Sequence, residues 1–259
     1  MMEKVISADG TSIAFDRLGD GPAVVLVCGG SVDRMSNAPL AALLAENHTV
    51  YNYDRRGRGD SGDAEVYAIE REFEDLDAIF AEAGGSAHLY GTSSGAALAL
   101  LATAAGRPVN HLALWEPPYI LEGTRQRPPA DTASIYRGFV AAGRRDAAAE
   151  YFMAEVVGLP ADFVAMAKES PWWPAQEAIA HTLAYDATVM GDYSVPEKAV
   201  AAITQPTQVL TGGASEEWMA LGNQAVVDLL AEGSHRVLPG QQHNVDAAVL
   251  APALKEFFA

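Results

Sequence analysis

The chain has 259 residues, 49% hydrophobic and 20% charged, which suits one large domain or two small ones and shows no compositional sign of disorder. A formal net charge of −17 and a pI near 4.6 count against nucleic acid as a partner, because phosphate binding needs clustered Lys and Arg. The single cysteine, Cys28, excludes an internal disulfide and a cysteine-built metal site.

Met1-Met2-Glu3-Lys4 leads straight into a strand-like segment, without the basic start and apolar stretch of a signal peptide. No apolar run of about 18 residues follows, so no transmembrane helix is expected, and the cytoplasm is the expected location. Two short strands, residues 4–7 and 12–17, flank the turn pair Asp9-Gly10. Residues 23–28 (Ala-Val-Val-Leu-Val-Cys) form a β-branched apolar run, the pattern of a strand buried on both faces. It ends at Gly29-Gly30-Ser31. A short helix over 39–46 precedes a strand over 49–53, which runs into Asp54-Arg55-Arg56-Gly57-Arg58-Gly59-Asp60-Ser61-Gly62. That loop lacks the Lys-Ser/Thr ending of a phosphate-binding P-loop and does not open a helix, which counts against phosphate binding. A charged amphipathic helix over 66–83 stops at Gly84-Gly85.

The strand over 87–90 meets Gly91-Thr92-Ser93-Ser94-Gly95, and an Ala/Leu-rich helix follows to about residue 105. This is the G-x-S-x-G elbow in its proper setting of strand, sharp turn and helix. The turn lifts the Ser93 hydroxyl clear of the sheet and leaves the Ser94 N–H free to meet an oxyanion. A buried strand over 111–115 ends at Glu116-Pro117-Pro118. From residue 119 to about 204 the strand rhythm gives way to helices punctuated by Pro and Gly, with aromatics clustered at Tyr151, Phe152, Trp172, Trp173 and Tyr185. Strands resume at 207–211 and 236–238 around a helix over 216–231. The chain closes with Pro239-Gly240-Gln241-Gln242-His243 and a final amphipathic helix.

Of the six histidines, His48, His88, His111 and His235 sit at strand starts, and His181 lies in the helical segment. No H-x-x-x-H or H-E-x-x-H pairing supports a metal site. His243 alone occupies the loop after the last strand.

The glycine turn Gly29-Gly30, the Asp54–Ser61 loop, the Ser93 elbow and His243 stand in the order seen in the α/β-hydrolase superfamily, and the chain resembles that family at both ends. The resemblance implies an α/β fold: a mostly parallel, doubly wound eight-stranded sheet with a helical cap inserted after the sixth strand. Residues 1–118 and 204–259 would form the core and 119–203 the cap. It also implies His243 as the general base that takes the Ser93 proton, Gly30 as the second oxyanion donor beside Ser94, and bracing of the loop by Asp54 and the arginines. Cys28 stands where the family usually has a histidine, which marks a structural replacement.

The acid of the triad departs from the common pattern. Ser215 falls where an Asp is usual, in Gly212-Gly213-Ala214-Ser215-Glu216-Glu217-Trp218. Either Glu216 or Glu217 substitutes for it, or Glu116 does, at the earlier position used by a subgroup that includes some haloalkane dehalogenases. Glu116 is favoured, since a carboxylate ending an apolar strand needs a reason to be there.

An elbow serine excludes the usual dehalogenase and epoxide-hydrolase chemistry, which uses an Asp. Acyl transfer to water fits, with a small or medium, largely apolar ester or lactone as substrate. Trp172, Trp173 and Tyr185 are candidate substrate-binding residues, unless they only pack the cap's own core. Hydroxynitrile-lyase-type cleavage, C–C bond hydrolysis and non-catalytic ligand binding stay open. No cofactor or metal is expected, a small molecule is the expected partner, and the chain is expected as a monomer or homodimer.

Overall fold

A computed structural model describes residues 2–259. Its eight strands are β1 (Met2–Ile6), β2 (Ser12–Leu18), β3 (Ala23–Val27), β4 (Thr49–Tyr53), β5 (Ala87–Thr92), β6 (Val109–Trp115), β7 (Thr207–Gly212) and β8 (Gly233–Leu238). They form one sheet in the order β1-β2-β4-β3-β5-β6-β7-β8. β1 pairs antiparallel with β2, and β2 with β4; every other pairing is parallel. The expected eight-stranded, mostly parallel α/β sheet is what the chain forms.

The strand sequences follow from where each lies. Val24 to Val27 of β3 are fully buried, because β4 and β5 flank the strand and helices cover both faces. Alternate residues feed two cores: Val25 and Val27 join Leu76, Ile79 and Phe80, while Val24 and Leu26 join Leu40, Leu44, Leu250 and Leu254. α1 (Ala38–Leu44) and α11 (Ala247–Phe257) therefore cover one face. α2 (Ile69–Glu82), α3 (Ser94–Ala104) and α10 (Glu217–Leu229) cover the other.

Between β6 and β7 lie α4 (Thr132–Ala141), α5 (Arg145–Tyr151), α6 (Ala161–Lys168), α7 (Trp173–Ile179), α8 (Leu183–Met190) and α9 (Glu197–Ala201). This insertion has small apolar clusters of its own, yet Val189, Met190 and Val200 reach into the main core. α3 is apolar on every side because α8 and α9 cover the face that β5 and β6 leave. β5, β6 and β8 outrun their expected bounds by two or three residues, since main-chain pairing continues where the apolar pattern stops. β5 carries on to Thr92 against Trp115, β6 starts at Val109, and β8 starts at Gly233 opposite Thr207.

Strand order also locates the crevice. β3 sits between β4 and β5, so the chain leaves β3 in both directions and the strand ends diverge there. Gly29-Gly30 follows β3 and Ser93 follows β5, one on each side of that switch point. The register aligns Thr92 with Trp115 and Trp115 with Leu210, which sets Ser93 and Glu116 on one edge of the sheet. Among the described residues no helix is long and apolar enough to cross a membrane.

Candidate active site

Ser93 has φ 56° and ψ −127°, a backbone conformation that costs a non-glycine residue on the order of 1–3 kcal/mol. Surrounding contacts enforce it. Ser93 N–H donates to the Trp115 carbonyl at 2.9 Å, and the Ser93 carbonyl accepts from Ala96 and Ala97 to start α3 at once. Both elbow glycines are steric necessities. A Cβ on Gly91 would sit 2.4 Å from the Gly95 carbonyl oxygen, and one on Gly95 would sit 2.3 Å from that of Cys28. Gly29 packs against the serine itself, where a Cβ would lie 3.1 Å from Ser93 Cβ.

Glu116 is fully buried and also left-handed, with φ 44°. Its backbone N–H donates to Leu210 at 3.1 Å, which pins the residue between β6 and β7. Oε1 accepts from Gly212 N–H at 2.7 Å, and Oε2 lies 2.8 Å from His243 Nδ1. The Trp115 indole N–H donates to the His243 carbonyl at 2.9 Å, so neighbouring residues of one strand end hold both the ring and the backbone of the histidine. With Nδ1–H donating to a carboxylate, a neutral imidazole presents Nε2 as an acceptor. No hydrogen bond joins Ser93 Oγ to the imidazole among the described residues; in free enzymes this contact is often long and tightens with substrate.

The other two acids sit elsewhere. Glu216 accepts from the Trp218 indole at 2.5 Å on the surface, and Glu217 is exposed at the start of α10. Ser215 Oγ is buried without a partner. Cys28 is buried, and burial pushes its thiol pKa up, away from nucleophilic use.

The Asp54–Gly62 loop is a knot of buried ion pairs. Asp54 accepts from the Arg34 guanidinium and from the backbone N–H groups of Arg34 and Asp60, both at 2.8 Å. Arg56 pairs with Asp75 and Asp9, and Arg55 grips Glu72 with two bonds of 2.7 Å. Asp186 of α8 is the partner that sequence reasoning missed. It binds Arg55 and Arg58 at 2.7 Å each and accepts from Ser94 Oγ at 2.8 Å. The signal was present: a lone acid in the apolar run Leu183-Ala184-Tyr185-Asp186-Ala187, and three loop arginines in need of counter-charges.

The three candidate substrate-binding aromatics are not gathered together. Tyr185 stacks on Tyr67 at 4.0 Å between ring centroids and donates to Asp63 at 2.9 Å. Trp173 is buried with Met153, Val164 and Ala167 in the insertion's own packing, and Trp172 beside it is 44% exposed. None of these contacts involves Ser93, Gly30 or His243. Among the described residues no cluster of three or more His, Cys, Asp or Glu could hold a metal ion.

A family model described as the alpha/beta hydrolase family matches residues 24–250. An alpha/beta hydrolase from Sphaerobacter thermophilus DSM 20745 is 49% identical, with a TM-score of 0.93 over 99% of this chain and 100% of that one. The enol-lactonase from Burkholderia xenovorans LB400 shares the fold at a TM-score of 0.71, over 98% of this chain and 99% of that one, with 19% identity. An uncharacterized hydrolase of Bacillus subtilis (strain 168), YraK, is 34% identical over 99 residues, 37% of this chain and 36% of that protein. The match thus spans about a third of that relative's length.

Proposed function

The chain belongs to the alpha/beta hydrolase family, and on that premise we propose that it is a serine hydrolase acting on a small or medium, largely apolar carboxylic ester or lactone. In this reading Ser93 Oγ attacks the carbonyl carbon while His243 Nε2 takes its proton. Glu116 stabilises the imidazolium that forms and holds the reactive tautomer. The N–H groups of Gly30 and Ser94, with the positive end of α3, meet the oxyanion. The bond to the leaving oxygen breaks, and the imidazolium returns its proton to that oxygen. Water then gives a proton to the same nitrogen and attacks the acyl-serine, which frees the acid and restores the hydroxyl.

The observation that carries this reading is the 2.8 Å contact between His243 Nδ1 and a fully buried Glu116, one strand end away from a left-handed Ser93. A buried carboxylate with a second donor on its other oxygen is spent on holding that ring. Residues 119–203 act as a cap, tied to the core by Asp186. The formal charge of −17 disfavours anionic substrates at long range.

A fluorophosphonate probe should label Ser93, and p-nitrophenyl acetate should give a burst of one nitrophenol per chain. Ser93→Ala should lower turnover by about a thousandfold or more with the fold unchanged. Near-normal esterase activity in that variant would end the proposal.

A further inference from the structure

Arg58 is fully enclosed, yet it lies at the end of neither a helix nor a strand and bonds two main-chain carbonyls of one turn. Nη1 donates to the Gly29 carbonyl, and also to that of Val32 at 3.1 Å. The Gly29 carbonyl and the Gly30 N–H are the two ends of one peptide unit. A peptide is planar and trans, so fixing its oxygen fixes the direction of its N–H. The charged bond on the oxygen also polarises the unit and makes that N–H a stronger donor.

Arg58 is itself held from the insertion. Nη2 donates to Asp186 Oδ2 at 2.7 Å, while Asp186 Oδ1 takes Arg55 at 2.7 Å and the Ser94 hydroxyl at 2.8 Å. A Cβ on Gly30 would lie 3.3 Å from both Asp186 Oδ2 and Ser94 Oγ, so the carboxylate is wedged between the two residues. Burial raises the Asp186 pKa, but the Arg58 and Arg55 charges and the Ser94 hydroxyl outweigh it and hold the group ionised.

We propose that Asp186 is a positioning residue of the oxyanion site: through Arg58 it sets the Gly29–Gly30 peptide, and through the Ser94 hydroxyl it sets the other donor residue. One carboxylate on the inserted helix α8 thus aligns two N–H groups on two loops of the core. The site is complete only with α8 seated. The inference rests on the serine-hydrolase reading and adds a residue to it.

The test compares Asp186→Asn with Glu72→Gln, which weakens the same buried network on the far side of Arg55. In Asp186→Asn, kcat should fall by about a hundredfold, the usual effect of one lost oxyanion donor. Affinity for an aryl trifluoromethyl ketone, which forms a tetrahedral oxyanion on serine, should fall in parallel, with KM nearly unchanged. Glu72→Gln should lower thermal stability and leave kcat and ketone affinity within a few-fold. Should Asp186→Asn not fold, Ser94→Ala removes only the hydroxyl bond and should lower kcat and ketone affinity together by several-fold. Unchanged ketone affinity in folded Asp186→Asn, or in Ser94→Ala, overturns the proposal. So does a Glu72→Gln variant whose kcat falls as far as that of Asp186→Asn. Failure of the hydrolase reading shows separately, as a wild-type Ser93 that fluorophosphonate does not label.

Discussion

Replacing Glu116 by Gln preserves shape and volume, and the neighbouring donors dictate how the new amide sits. The carboxylate now accepts twice, from Gly212 N–H at 2.7 Å and from His243 Nδ1 at 2.8 Å. An amide has one acceptor oxygen. Gly212 N–H is main chain and can only donate, so the amide oxygen must face it and the NH2 must face the imidazole. His243 can answer only by turning Nδ1 into an acceptor, which moves its proton to Nε2. That nitrogen is the one that receives the Ser93 proton in the proposed mechanism. The expected loss is about ten-thousandfold in kcat, on the order of 5.5 kcal/mol in the barrier, with KM little changed. Stopped-flow measurement of the acylation burst with p-nitrophenyl acetate reads the loss directly. A fall smaller than tenfold, with the variant folded, would refute Glu116 as the group that sets the tautomer.

Glu216→Gln and Glu217→Gln should change kcat by no more than about twofold, since both side chains lie on the surface of the α10 start; the same burst assay checks this. Trp173→Ala should destabilise by about 3–5 kcal/mol in urea unfolding, whereas the half-exposed Trp172→Ala should stay within about 0.5 kcal/mol. Gly95→Ala should fail to give folded protein by circular dichroism, because its Cβ would overlap the Cys28 carbonyl and neither strand nor helix can yield there. Burial, then the charges of His111 and His48, pulls the His88 pKa down to about 4. Its unfolded value is about 6.5, so the neutral ring contributes stability above that pH, lost as pH falls from 6.5 toward 4. The urea midpoint should therefore drop between pH 7 and pH 5, and drop less in His88→Gln.

The fold was legible because its signals are local. Strand β3 announces itself as a continuous β-branched run, and the elbow glycines mark a turn whose crowding requires them. Strand ends were less so: Gly233, Ser234 and His235 carry no apolar pattern, and they join β8 only because β7 offers unpaired main chain. Within the site, a carboxylate closing an apolar strand was readable at Glu116 as a group in need of a partner. Asp186 was not. Its partners lie 131, 128 and 92 residues away, and nothing in a helix sequence states which side faces a distant arginine. The aromatics illustrate the opposite difficulty, since Trp173 looks the same in sequence whether it lines a pocket or fills the insertion's own packing.

The buried ion pairs also bear on how the chain is made. On a ribosome, Arg55 and Arg58 emerge with Glu72 soon after them, but Asp186 follows roughly six to twenty-five seconds later at usual rates of synthesis. Until then Arg55 has Glu72 but Arg58 lacks its carboxylate partner, and burying both guanidiniums would leave a charge unpaired at a cost of several kcal/mol. The emerging β3–β5 segment therefore has reason to stay hydrated and loosely closed, held back by its own arginines. The same charges that lock the finished molecule thus disfavour dry burial of this loop before α8 is in place.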